Sequence, residues 1–115
     1  MEKTARAIVA RQKGILAADE SLPTIKKRFD AINVESTVES RNAYRELLFT
    51  TERMEKYISG VIMFDETLRS KSSDGKPFPE LLREKGVVPG IKVDKGLAVL
   101  PGTNGEKVIQ GLVGF

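Results

Sequence analysis

Three short apolar runs along the chain share one form: residues 14–19 (Gly-Ile-Leu-Ala-Ala-Asp), 60–65 (Gly-Val-Ile-Met-Phe-Asp) and 90–94 (Gly-Ile-Lys-Val-Asp). Each opens on glycine and closes on aspartate. Runs this short and nearly continuous in apolar residues suit strands buried on both faces, as parallel strands covered by helices are. Between them the pattern changes period. Ile25, Phe29 and Ile32 recur at helical spacing behind Ser21 and Pro23, which fit an opening turn. Ser36-Thr-Val-Glu39 reads as a capping box for a second helix, with Tyr44, Leu47 and Leu48 as its apolar stripe.

The connection after Asp65 opens on Glu66 and Thr67, turns at residues 72–75 (Ser-Ser-Asp-Gly), and enters a short helix from Pro79 that Gly86 stops, with Leu81 and Leu82 facing the core. Residues 1–10 offer one more helix through Ala5, Ile8 and Val9. Beyond Asp94 the chain is glycine-rich and reads as a hairpin-like excursion, ending on an apolar Gly114-Phe115. Strand, helices, strand, helix, strand calls for parallel pairing through right-handed crossovers. Three such strands leave both sheet edges unpaired and one face short of cover. A closed eight-stranded barrel needs about 200 residues or more, so the expected fold is α/β, a single segment over 1–115 equal to the first three βα units of a larger barrel.

Composition narrows the chemistry. The chain has 115 residues, 40% apolar and 30% charged, in keeping with a folded domain. Nineteen basic against sixteen acidic residues give +3, and the densest basic run, Lys26-Lys27-Arg28, has no interleaved aromatics, which argues against nucleic acid as partner. With no cysteine, no apolar signal core and no apolar run of about 18 residues, a cytoplasmic location and no membrane partner are expected. There is no histidine either, so the usual zinc ligands and the serine–histidine and cysteine–histidine nucleophiles are missing. Neither metal nor cofactor is expected, and carboxylates, lysines, hydroxyls, Tyr44 and Tyr57 remain.

In β/α proteins ligands bind at the carboxyl ends of strands, where Asp19, Asp65 and Asp94 fall. Three such carboxylates suit hydroxyl binding, a lysine partner or a cation, and capping of the next helix is the competing reading for each. Lys92 interrupts an apolar strand, where a bare ammonium is costly. It calls for a phosphate, a rim aspartate, or an edge where it reaches solvent. Ser21 and Thr24 stand at a helix start, which attracts anions, although either hydroxyl also serves as an ordinary N-cap. No glycine-rich nucleotide fingerprint is present.

At this point the residues stop being generic. Residues 13–21 (KGILAADES), Thr24-Ile25 with Lys27-Arg28, 41–48 (RNAYRELL), 57–67 (YISGVIMFDET), 89–96 (PGIKVDKG), 102–105 (GTNG) and 110–112 (QGL) closely resemble, in order, the N-terminal part of the class I fructose-bisphosphate aldolases. The resemblance implies a TIM (β/α)8 barrel, incomplete in this chain, and reversible cleavage of fructose 1,6-bisphosphate to dihydroxyacetone phosphate and glyceraldehyde 3-phosphate in glycolysis. The implied mechanism uses a Schiff base and no metal. Matched position by position, Asp19 resembles the aspartate that contacts sugar hydroxyls and active-site lysines. Ser21, Thr24 and Lys92 resemble contacts to the C6 phosphate, Lys27 and Arg28 a basic pair near the substrate, and Asp94 a supporting rim aspartate. The implied partner is a phosphorylated ketose, and the implied intact protein is homo-oligomeric.

Leu22-Pro23 replaces a common Thr-Gly, and Arg11-Gln12 a common Pro-Gly. The family's Schiff-base lysine and its acid/base partner match no position here, so the segment alone is expected to be inactive. The alternative is a catalytically inactive truncated remnant, or a phosphosugar-binding or assembly fragment.

Overall fold

Strand β1 (Gly14–Ala18) pairs in parallel with β2 (Ile58–Met63), and β2 pairs in parallel with β3 (Val88–Ile91), giving a sheet in the order β1-β2-β3. This is the α/β parallel arrangement that the apolar runs predict. The computed structural model describes residues 2–10, 12–99 and 101–109. Arg11 and the expected apolar end at Gly114 and Phe115 lie outside the described residues, as does the 110–112 stretch.

The strand limits differ from expectation in the second and third strands. β2 stops at Met63 because Asp65 already opens helix α4 (Asp65–Leu68). β3 therefore stops at Ile91, the partner of Met63, and runs over 88–91 instead of 90–94. Lys92 and Asp94 lie just past its end, although the Lys92 amide still donates to the Met63 carbonyl at 2.9 Å.

Register sorts the side chains onto two faces, since paired residues share a face and alternate along each strand. Leu16, Ala18, Val61 and Met63 fall on one, where Ala18, Val61 and Met63 are at most 1% exposed. Helices α3 (Val38–Phe49) and α5 (Phe78–Glu84) cover it through Phe49, Phe78 and Leu82, each 0% exposed. The Phe49 and Phe78 rings meet edge to face at 5.4 Å. Burying each of these large side chains contributes about 1.5–3 kcal/mol.

Ile15, Ala17, Gly60, Ile62, Val88 and Gly90 fall on the other face, where Ile15 is 50% exposed. A shallow apolar cavity of about 340 Å³ opens there, lined by Ile8, Ile15, Ile62 and Val88 among others. Helix α1 (Glu2–Ile8) lies at the amino end of the sheet, where the Ser59 hydroxyl donates to the Ile8 carbonyl. One face does lack full cover, as the element pattern implies.

Helix α2 (Leu22–Asp30) buries Ile25 and Phe29 but ends before Ile32, which is 66% exposed. Helix α3 begins one residue later than the expected box. Thr37 and Ser40 cap each other's backbone, while the Ser36 hydroxyl accepts from Arg41 at 3.0 Å. Its inward stripe is Arg41, Arg45, Leu48 and Phe49, and Leu47 is 67% exposed. Tyr44 turns sideways to meet Phe29 edge on at 5.9 Å, joining α2 to α3. In α5 Leu82 is buried and Leu81 partly so, and Gly86, with φ +77°, ends the element as expected. The final excursion is an antiparallel hairpin of β4 (Leu97–Val99) and β5 (Lys107–Ile109).

Candidate functional site

Asp19 follows β1 directly, and Lys92 follows β3. Continuing the alternation puts both on the open face, at the carboxyl edge of the sheet. Their side chains meet there: Lys92 Nζ donates to Asp94 Oδ2 at 2.8 Å and stands 3.8 Å from Asp19 Oδ2. The Gly96 amide donates to the other Asp94 oxygen at 3.0 Å. The costly lysine thus has its partners. Its side chain remains about a quarter exposed, and its ammonium carries three donors, of which Asp94 takes one.

The hydrogen bond to Asp94 holds the Lys92 pKa above the ordinary lysine value, outweighing partial desolvation, with the Asp94 and Asp19 charges adding to it. The same bond, helped by the Gly96 amide, pulls Asp94 below the ordinary aspartate value. Lys92 is therefore a persistent cation at neutral pH. A protonated amine is not a nucleophile, and two neighbours of Lys92, Asp19 and Asp94, are carboxylates.

Ser21 sits at the N-cap of α2 in extended backbone, yet its side chain makes no cap bond. Its hydroxyl and that of Thr24 instead share a hydrogen bond of 3.0 Å at the helix start. That leaves the first-turn amides of α2 without a side-chain cap from Ser21, an arrangement favourable to an anion. Pro23, in the first turn of α2, lacks an N–H there. Arg28 donates to Glu20 Oε2 at 2.7 Å and is 60% exposed. Lys27 is exposed and forms no ion pair among the described residues.

Asp65 does not share this arrangement. As the first residue of α4, it accepts from Arg69 at 3.0 Å, one turn on. Nor does it cap α4, whose N-cap is Phe64 without a side-chain cap bond; its carboxylate lies in the first turn, where the helix dipole favours it. The rim cluster is Asp19, Lys92 and Asp94.

Arg45 and Glu20 are functional-looking residues that no spacing signal singled out. Arg45 is 1% exposed, donates from Nε to the Ala18 carbonyl at 3.3 Å and from Nη2 to the Glu20 carbonyl at 3.1 Å, and approaches Glu20 Oε1 to 3.7 Å. Burial lowers its pKa, and the Glu20 carboxylate offsets part of that. The available clue was an arginine at the inward spacing between Arg41 and Phe49. Nearby, Arg41 grips Glu66 through two bonds of 2.8 and 3.0 Å, tying α3 to α4.

Among the described residues, no group of three or more metal-ligating side chains is gathered, and no helix is long and apolar enough to cross a membrane. What the rim gathers is two carboxylates, Asp19 and Asp94, around the Lys92 ammonium, with the start of α2 close to Asp19 in sequence.

The family model described as fructose-bisphosphate aldolase class-I matches residues 1–115. A cytosolic fructose-bisphosphate aldolase of Arabidopsis thaliana is 63% identical over 110 residues, covering 96% of this chain and 31% of that protein. The fructose-bisphosphate aldolase of Echinococcus multilocularis is 62% identical over 113 residues, covering 97% and 31%. The fructose-bisphosphate aldolase of Plasmodium falciparum, solved in complex with TRAP and a small-molecule inhibitor, superposes with a TM-score of 0.89 at 54% identity, over 95% of this chain and 31% of that one. The chain thus spans about a third of the length of the relatives it matches, and over that third it belongs to the class-I fructose-bisphosphate aldolase family.

Proposed function

We propose that residues 1–115 form the first three βα units of a TIM (β/α)8 barrel and supply the C6-phosphate side of a fructose 1,6-bisphosphate aldolase site. The observation that carries this is Lys92, held as a cation between Asp94 and Asp19 on the open face of the sheet. In this reading the phosphate is received by Lys92 together with the Ser21 and Thr24 hydroxyls at the start of α2. Asp19 orients sugar hydroxyls and a neighbouring lysine. Lys27 and Arg28 add positive charge at the rim, and Asp94 keeps Lys92 protonated.

The reaction is reversible carbon–carbon cleavage of the ketose to dihydroxyacetone phosphate and glyceraldehyde 3-phosphate. A protonated imine on a lysine outside this stretch accepts the electron pair of the breaking bond. No metal or cofactor is required for that step. The setting is cytoplasmic glycolysis, the partner is the phosphorylated ketose, and the longer protein is a homo-oligomer.

Joining residues 1–115 to the remaining two thirds of the Arabidopsis thaliana relative, in place of its own matching stretch, tests the reading. Turnover of fructose 1,6-bisphosphate is expected in the fusion, and its loss in Lys92→Met; a fusion that folds but neither binds nor cleaves the bisphosphate overturns it. The 115 residues alone are expected to show no turnover. Borohydride trapping of a covalent adduct on them with fructose 1,6-bisphosphate would contradict that expectation.

A further inference from the structure

We propose that Arg45 is a positioning residue: from behind the sheet it sets the orientation of Asp19 and of the Ser21 loop. The inference deepens the aldolase reading and rests on it. The two carbonyls that Arg45 holds, Ala18 and Glu20, belong to the residues on either side of Asp19. Arg45 reaches them from α3 on the covered face, whereas the Asp19 side chain works on the open face 3.8 Å from Lys92. Holding the Ala18–Asp19 peptide on one side and the Glu20–Ser21 peptide on the other restricts the backbone that carries Asp19 and leads into Ser21.

The choice of residue is informative. A guanidinium that is 1% exposed loses its hydration, a cost that its bonds to two carbonyls and its approach to the Glu20 carboxylate offset. What Met or Leu cannot supply is a planar fork of donors aimed at two carbonyls at once. The fork also approaches Glu20 Oε1 at 3.7 Å, and the Glu20 carboxylate, 7% exposed, accepts from Arg28 at 2.7 Å through its other oxygen. Arg45 therefore sits at the root of a chain of contacts that reaches the backbone on either side of Asp19 and, through Glu20, Arg28. Tyr44, its ring centre 5.8 Å from the guanidinium, flanks it on α3.

The test uses the fusion described above, carrying Arg45→Lys, Arg45→Met or Arg45→Ala. Misplacing a substrate-orienting group by about 1 Å costs about 100-fold, so Arg45→Met is expected to lower kcat/KM by about 30-fold or more. Arg45→Lys keeps the charge and loses the fork, and is expected to lose about tenfold while melting near the parent temperature. Guanidinium ion, but not ammonium, is expected to restore part of the Arg45→Ala activity. The Asp19 carboxyl carbon shift and the Ser21 amide shift are expected to move in all three variants.

Variants that melt lower but keep both shifts and, once folded, the parent kcat/KM would make Arg45 a packing residue and overturn the inference. The shifts are read without turnover, so an inactive parent fusion counts against the aldolase reading alone, and unmoved shifts count against Arg45 alone.

Discussion

On one face of the sheet Phe49, Phe78 and Leu82 lie wholly buried over Ala18, Val61 and Met63; on the other Ile15 is 50% exposed. The two faces come from the same strands by alternation, yet they solve different problems. The covered face is apolar and filled from α3 and α5, so it supplies most of the burial. The open face carries small residues at Gly60 and Gly90 and ends in Asp19 and Lys92, so it supplies a surface that chemistry can reach. Gly90 shows the closeness required there: an added Cβ would meet the Val61 carbonyl at 3.3 Å. The lesson is that stability and the candidate site are separated by a single residue step along each strand.

The sharpest way to break this contrast is Phe78→Ala. A wholly buried phenylalanine in the covered face is expected to cost about 3–5 kcal/mol, enough to abolish cooperative unfolding in a marginal chain, as denaturant titration would read. Next comes Lys92→Met in the fusion, which removes a charge-assisted contact and is expected to weaken phosphate-ester binding by about tenfold or more. Calorimetric titration checks it, and unchanged affinity would move the phosphate away from the open face. Thr37→Ala loses the cap of α3, the helix that spans both roles, and is expected to cost about 1 kcal/mol in thermal melting.

The pH dependence of the Lys92–Asp94 pair is smaller, and its sign is fixed by the two shifts. Asp94 is lowered, so its contribution is present above the ordinary aspartate value and fades as pH falls through the lowered one. Lys92 is raised, so its contribution is present below the ordinary lysine value and fades as pH rises through the raised one. NMR titration should place the Asp94 midpoint below the ordinary aspartate value, returning toward it in Lys92→Met. Smallest of all, Ile15→Ala on the open face of the isolated chain is expected to cost less than about 1 kcal/mol. A loss equal to that of Phe78→Ala would erase the difference between the faces.

The strands were legible because each is an apolar run closed by a residue that cannot sit comfortably in a core. Asp19 and Lys92 were legible for the same reason: their charges interrupt or end such runs. Asp65 looked equivalent in sequence, and only the onset of α4, which hands its carboxylate to Arg69, separates it. The inward stripe of α3 keeps Leu48 of the expected apolar residues but departs at Leu47, which is 67% exposed, while Arg45, 1% exposed, takes an inward place. Hydropathy ranks side chains by what they avoid, whereas Arg45 is placed by two carbonyls whose need for donors appears only once β1 has ended beside the helix.

The carbonyl bonds of Arg45 reach back 27 and 25 residues. Because α3 precedes β2 in the chain, the segment that immobilises the β1 end is synthesised before β1 has a neighbouring strand to pair with. A ribosome-bound chain that has released only residues up to the end of α3 already holds every group of the Asp19 clamp. Forming these two bonds takes a shorter loop closure than pairing β1 with β2 does, since Gly14 of β1 pairs with Ile58.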